Sequence, residues 1–375
     1  MNNTDSTWNS FVSSSKWGDI LQFSQWGEVK RLEGWSPHYV TSKDTKVRSI
    51  VLIKKAGFLG NLMYVPHGPV FQSTNDLAEE IDSWKEALLL LAREQNCFLI
   101  EIDPKIGHLV DKKQEIDNVD ESTKLKHQII NKNIEGLGHF FDEEIIDIFM
   151  KAGFEKTNRN MQPVFKLLYS LELSEDELMS LMDKNTRYNI RYAQKKGVQI
   201  HEYLPDDPEI NEKLKVFYGL MKETQKRTGG YPIRPYDSFL KLFDSFKGTN
   251  NLALIEASFE GDVIAMNISQ RTQNWASSFY AGSNRLHPNL KAPYLLRWHS
   301  VCKAKEFGSK VYDFWGIIPN SKQHEGYSSN KLSFGGTRID HVGIMEIQIS
   351  AFKAQIFVYL LVLRKLVYNF KRKIL

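Results

Sequence analysis

The chain has 375 residues, a formal net charge of +4, 42 % apolar and 25 % charged residues, which fits an ordinary globular protein of about two domains and leaves any anion binding to local clustering. Its two cysteines, Cys97 and Cys302, each lie in an apolar segment without metal or disulfide-framework spacing, as expected in a reducing compartment. The opening MNNTDSTWNS is polar and lacks the apolar core of a signal peptide, and no run reaches the ~18 apolar residues of a membrane span, so a cytoplasmic location is expected.

In chain order, the apolar residues from Phe11 to Trp26 predict one or two short helices leading into a strand at Gly27–Lys30. Val47–Lys54 and Asn61–Pro66 read as strands joined by a glycine-containing turn, and Pro66–Val70 as a rigid loop. Thr74, Asn75 and Asp76 cap a helix whose Leu77, Ile81, Trp84, Leu88 and Leu91 share one face. Cys97–Ile102 is a strand ending on Asp103-Pro104. Lys105–Leu137 is polar and without period, and is expected to be a partly mobile surface insertion. A helix at Asp142–Ala152 and a strand at Val164–Leu173 close an α+β first half, residues 1–170.

The second half, 171–349, opens with a helix whose Ser174 and Glu177 form a capping box. Arg187, Arg191 and Lys195 then recur every four residues and make one basic stripe, joined by Lys184 and Lys196. A strand at Val198–Tyr203, helices at Ile210–Lys226 and Tyr236–Phe246, and a hairpin turning at Glu260-Gly261-Asp262 follow. Trp275–Ala281 and Lys310–Ile317 are strands flanking a helix at Ala292–Phe307 that stops at Gly308, and such a helix offers free N–H groups at its start to a phosphate or carboxylate. His341–Ile349 is the last strand. Both halves repeat a plan of hairpin, helix and strand without matching residue by residue. Residues 350–375 read as a basic amphipathic helix, either docked on the body or in contact with the anionic inner face of a membrane.

The order of elements in the second half resembles the GNAT (N-acetyltransferase) fold. Within it, KNTRYNIRYAQKKGV (184–198), RTGGYPIRPYDSF (227–239), FYAGSNRLHPNLKAPYLLRW (279–298), KVYDFWGI (310–317) and NKLSFGG (330–336) resemble the Fem-type (FemA/FemB/FemX) transferases that build peptidoglycan interpeptide bridges. SQWGEVKR (24–31) and CFLIEIDP (97–104) extend the likeness into the first half. The resemblance implies an α+β fold of two GNAT-like domains side by side, here without the coiled-coil arm of some members, since 198–250 leaves no room for one. It also implies transfer of an amino acid from aminoacyl-tRNA to an amine of a cell-wall precursor, by a monomer that needs no cofactor beyond the tRNA co-substrate. The precursor is nucleotide-linked or lipid-linked. The family's YDFGG stands here as Tyr312-Asp313-Phe314-Trp315-Gly316, and Asn330–Gly335 also departs from the family's pattern before FG.

Ester aminolysis needs a neutral amine, a donor for the oxyanion and tight positioning. By the resemblance, Asp103 lines the precursor pocket and orients or deprotonates the amine, and Lys331 stabilises the oxyanion or a tRNA phosphate. Lys30 and Arg234 match positions that face the precursor's diphosphate, where Arg offers a bidentate fork. Tyr280, on a strand, is a candidate hydrogen-bond partner of substrate, and Phe98 and Ser238 lie in matching stretches. The stripe of Lys184, Arg187, Arg191, Lys195 and Lys196 is suited to a tRNA backbone, with a solvated helix face as its plainer reading. Two rival functions stand beside this one. A coenzyme-A-dependent acyltransferase is opposed by the glycine-free loop Arg285–Ala292, whose side chains hinder close backbone approach to a pyrophosphate. A non-catalytic precursor-binding module is motivated by the altered YDFWG and NKLSF segments.

Overall fold

The computed structural model describes residues 3–374 apart from 73–75, 116–119, 139, 229–231 and 320–324. Its first elements are α1 (Asn3–Ser14), α2 (Ser24–Leu32), β1 (Ser36–Thr41), β2 (Val47–Lys55), β3 (Asn61–Pro66), β4 (Val70–Phe71), α3 (Leu77–Glu94), β5 (Cys97–Asp103) and β6 (Gly107–Leu109). Next come α4 (Glu121–Gly138), α5 (Glu144–Lys151), β7 (Glu155–Lys156), β8 (Phe165–Ser170), α6 (Glu175–Leu181), α7 (Lys184–Lys195), β9 (Gln199–Tyr203), α8 (Ile210–Thr228) and α9 (Tyr236–Ser245). The chain continues with β10 (Leu252–Phe259), β11 (Asp262–Arg271), β12 (Trp275–Ser283), α10 (Ala292–Phe307), β13 (Val311–Gly316), α11 (Glu325–Leu332), β14 (Thr337–His341), β15 (Met345–Gln348) and α12 (Ala351–Ile374).

These form a mixed α+β fold on two sheets. One has seven strands in the order β1-β2-β3-β5-β15-β7, with β4 beside β2; the other has eight, β6-β14-β8-β13-β12-β11-β10-β9. Among the described residues every pairing is antiparallel except β3 with β5 and β12 with β13. Each parallel pair needs a crossover, which α3 and α10 supply. The repeated plan of hairpin, helix and strand is therefore present in both sheets.

The sheets interlock across residue 170. The first takes in β15 from near the end of the chain, and the second takes in β6 and β8. The chain crosses between them four times, from β5 to β6 at 104–106, from β6 to β7 by way of α4 and α5, from β7 to β8 at 157–164, and from β14 to β15 at 342–344. The first and the last of these crossings lie side by side, with Val342 N–H donating to the Ile106 carbonyl at 3.1 Å.

Three expectations change. Gly27–Lys30 is helix, not strand, because Trp26 and Val29, three residues apart, turn one face of α2 into the core. Lys105–Leu137 is not an unstructured insertion. It holds β6 and α4, and α4 buries Ile129, Asn133, Ile134 and Leu137, with Asn133 donating to Thr337 Oγ1 at 2.8 Å. The expected cap of α3 is only partly visible: Thr74 and Asn75 lie outside the described residues, and Asp76 makes no side-chain cap bond. The capping box of α6 forms as read. Between β9 and β10 the described residues form α8 and α9, which pack on the body, and no paired arm.

Candidate functional site

The first group of expected site residues meets where α2 faces α9. Lys30, in the last turn of α2, places Nζ 2.5 Å from Glu33 Oε2, and Arg234, just before α9, pairs with Glu33 Oε1. Trp26 lies beneath both cations, its ring 5.8 Å from Lys30 Nζ and 5.1 Å from the Arg234 guanidinium. Burial and the neighbouring Arg234 lower the Lys30 pKa. Burial works to raise that of Glu33, but Arg234 and Lys30 outweigh it and hold the carboxyl below its ordinary value. Arg234 also bonds the Tyr280 phenol, whose pKa burial pushes up. Lys30, Arg234 and Tyr280 are thus brought together, around a carboxylate that sequence reasoning missed.

An aromatic row leads inward from this clamp. Trp26 lies 5.5 Å from Phe279, and Phe279 lies 5.0 Å from Trp315. Trp315 takes a left-handed backbone, φ 61°, unusual for so bulky a residue and found where surroundings over-determine the chain. Asp313 fixes it there: Oδ1 accepts from Trp315 N–H at 2.7 Å, while Oδ2 accepts from Lys166 Nζ at 2.9 Å. Lys166 Nζ lies 4.9 Å from the Trp315 ring.

Both expected catalytic residues border this group. Lys331, buried at the end of α11, donates to the Gly316 carbonyl at 2.7 Å. Burial, with Arg297 nearby, pushes its pKa well below the lysine range, and Asp313 opposes that. Gly335 and Gly336 turn the chain after α11 with φ of 75° and 99°, and a Cβ there would strike the Leu181 and Leu168 carbonyls. Asp103 ends β5, buried, and its Oδ2 accepts from Tyr64 OH at 3.3 Å and Gln162 N–H at 3.2 Å. Burial raises its pKa, with His67 and Lys166 pulling the other way.

A further buried set lies at the first crossing between the sheets. Lys105 Nζ is 3.3 Å from Asp19 Oδ2 and 3.2 Å from the centre of the Trp275 ring; His67 Nδ1 is 3.2 Å from the same Asp19 oxygen. Burial pushes Lys105 down to about 7. Asp19 stays well below the carboxylate range because His67 and Lys105 outweigh the effect of its burial. Lys166, a lysine in the otherwise apolar FKLLYS, was the sequence signal for these buried charges that the reading passed over.

The basic stripe forms on α7 as read. Lys184, Arg187, Arg191, Lys195 and Lys196 line one surface depression together with Tyr188 and Tyr192, whose rings stack 5.7 Å apart. Arg187 also donates to the Met182 carbonyl. Of the two remaining expected substrate contacts, Phe98 lies away from the clamp and Ser238 on α9 beside it. Phe98 sits at the far end of β5 from Asp103, packed with Leu59, Leu62, Leu99 and, at 5.4 Å, Phe357 of α12. Ser238 is buried in the first turn of α9. The start of α10 is covered on one side by the turn after α11, where Tyr294 stacks 6.1 Å from Phe334.

The FemAB family model matches residues 4–272 and 260–361, and the chain belongs to the FemAB family. Among curated proteins it is similar to the lipid II:glycine glycyltransferase of Staphylococcus saprophyticus, 25 % identical over 276 residues, 72 % of this chain and 58 % of that one. The enzyme of the same name from Staphylococcus aureus is 26 % identical over 244 residues, 62 % of this chain and 49 % of that one. The chain thus spans about half the length of these relatives. Among solved structures, that of FemX superposes with a TM-score of 0.73 at 17 % identity, covering 92 % of this chain and 96 % of the other. The structure of L-PGS from Bacillus licheniformis reaches a TM-score of 0.54 at 13 % identity, covering 92 % of each chain. These likenesses are of fold.

Proposed function

We propose that this protein is an aminoacyltransferase that moves an amino acid from aminoacyl-tRNA to an amine on the stem peptide of a peptidoglycan precursor. One observation carries the reading. Lys30 and Arg234 converge on a single carboxylate, and Trp26, Phe279 and Trp315 connect that clamp to Lys331 and the Lys166–Asp313 pair. A diphosphate held by the two cations in place of Glu33 would lay the attached stem peptide along the aromatic row. Its amine would then arrive at the buried charges. Membership of the FemAB family and the relatives named as lipid II:glycine glycyltransferases support the same class of acceptor.

In the proposed reaction the acceptor amine attacks the ester carbonyl carbon. A C–N bond forms, the C–O bond to the ribose breaks, and the amine's proton ends on the ribose oxygen. An ordinary lysine-type amine, pKa about 10.4, must first lose a proton. Asp103, its carboxyl pushed up by burial, is suited to take it. Lys331 donates to the developing oxyanion. Lys166 and Asp313 act as positioning residues, since Asp313 holds the Trp315 backbone beside the carbonyl that Lys331 bonds. The stripe on α7 supplies a backbone contact for the tRNA, and its two tyrosines a stacking surface. The loop before α10 contains no glycine, which disfavours a coenzyme-A pyrophosphate there.

Incubation with a muropeptide precursor and charged tRNA, with and without ribonuclease and beside a reaction with acetyl-coenzyme A, tests the reading by mass. Glycyl-tRNA and a lipid-linked acceptor are the first pair to try. A ribonuclease-sensitive gain of one amino-acid residue is expected. Acetylation with no such gain would move the protein to the coenzyme-A class, and precursor binding with no transfer would make it a binding module.

A further inference from the structure

Among the described side chains of α12, those packed in a core cluster lie in its first turns. Ala354 is buried, and Ile356 and Phe357 lie against Leu59, Leu62, Phe98 and Leu99. The helix then runs on to Ile374, about 25 Å further at 1.5 Å per residue. Along it Tyr359, Leu360, Val362, Leu366 and Val367 are between 43 and 63 % exposed. Monomeric proteins rarely leave so continuous an apolar surface in water.

The charge of this helix selects what covers it. Residues 351–375 contain six lysines and arginines and no acidic residue, so the other 350 residues carry a net charge of −2 against +4 for the whole chain. Two such helices would repel each other. The same charges complement a surface of anionic lipid headgroups. Among the described residues no helix is long and apolar enough to cross a membrane, so the fitting geometry is a helix lying in the interface. We propose that α12 docks the protein on an anionic membrane surface, its apolar side chains entering the boundary between headgroups and acyl chains and its basic residues meeting the phosphates. This docking stands independently of the transfer reaction and adds the place where the protein would meet a lipid-linked acceptor.

Flotation of the full chain with vesicles tests it, in the absence of tRNA and acceptor. Recovery is expected with mixed phosphatidylcholine–phosphatidylglycerol vesicles, and little with phosphatidylcholine alone. Arg364→Gln lowers the partition about fivefold, the effect of one basic residue near such a surface. Leu360→Asp with Leu363→Asp abolishes it, while the melting temperature and the transfer to a soluble muropeptide stay at wild-type levels. Equal binding to both vesicle types, or binding to neither, overturns the proposal. So does an α12-dependent dimer in sedimentation velocity that persists when anionic vesicles are added, because a second copy would then be the occupant.

Discussion

Replacing Arg234 with alanine and Glu33 with glutamine should move acceptor affinity in opposite directions. Glu33 is shared by Lys30 and Arg234, and the side chains of the three are between 12 and 28 % exposed. Unit charges about 4 Å apart at an effective dielectric near 20 interact by about 4 kcal/mol. A diphosphate must break two such pairs to reach the cations, and it rebuilds them with more negative charge than one carboxylate carries. Glu33→Gln removes the competing charge. If only a third of one pair energy is recovered, affinity rises about tenfold. Arg234→Ala removes a bidentate charge-assisted partner, worth about 1.5–3 kcal/mol, and weakens binding roughly ten- to hundredfold. Calorimetry with a nucleotide-linked muropeptide reads both. Tighter binding by Glu33→Gln and weaker binding by Arg234→Ala, each absent when the diphosphate is absent from the ligand, is the expected pair of results. Weaker binding by Glu33→Gln would mean that Glu33 is a ligand contact itself, and the clamp argument would fail.

The remaining predictions concern the buried charges and α7. Lys331→Met should lower single-turnover transfer by at least about a hundredfold while precursor affinity holds, as for loss of an oxyanion donor; unchanged turnover would remove Lys331 from the chemistry. Asp313→Ala leaves Lys166 buried without its partner and should cost about 3–5 kcal/mol in urea unfolding, whereas Asp313→Leu with Lys166→Met should recover most of it. Lys105 has a folded pKa of about 7, below its unfolded value, so the unfolded chain binds more protons between pH 7 and about 10.5. Stability from this residue is therefore lowest below pH 7 and rises with pH across that window, by up to about 1.4 kcal/mol per pH unit. Lys105→Met should flatten the rise, and a parallel pH profile for the two proteins would contradict the assignment. Charge reversal at Arg187 and Arg191 should weaken tRNA binding and reduce its log–log salt slope by about two; an unaltered slope would make the stripe a solvated face.

What could be read in the sequence was whatever repeats over several turns or sits in a long strand. The stripe of Arg187, Arg191 and Lys195 and the capping box of Ser174 and Glu177 depend on spacing within one helix, and both are present. Glu33 was missed although it lies three residues from Lys30. The four residues read as a strand belong to a nine-residue helix whose only inward signal is Trp26 and Val29. In α4 the buried positions 129, 133, 134 and 137 keep a helical period, but Asn131, Lys132 and Glu135 between them and a polar Asn133 among them masked it. Strands β6 and β15, of three and four residues, are too short for alternation to be seen. Their sheet membership depends on pairing across more than two hundred residues of chain, which no local pattern encodes.

Those two short strands explain why the candidate site can be precise without lying on a single sheet. Asp103 ends a strand of the first sheet, and Gly107 begins one of the second. His341 ends a strand of the second sheet, and Met345 begins one of the first. These two of the four crossings are bonded to each other, so turning one sheet on the other would break the Val342–Ile106 hydrogen bond. Lys105 lies within the first crossing, and the charges of Lys166 on β8 and Asp313 on β13 act on it. Burying two lysines and two carboxylates at a hinge would be costly, since motion would leave them unpaired in turn. At a doubly stapled seam the partners stay within reach. The same rigidity holds Asp103 of one sheet near Lys166 of the other, which is what a transfer between two separately bound substrates requires.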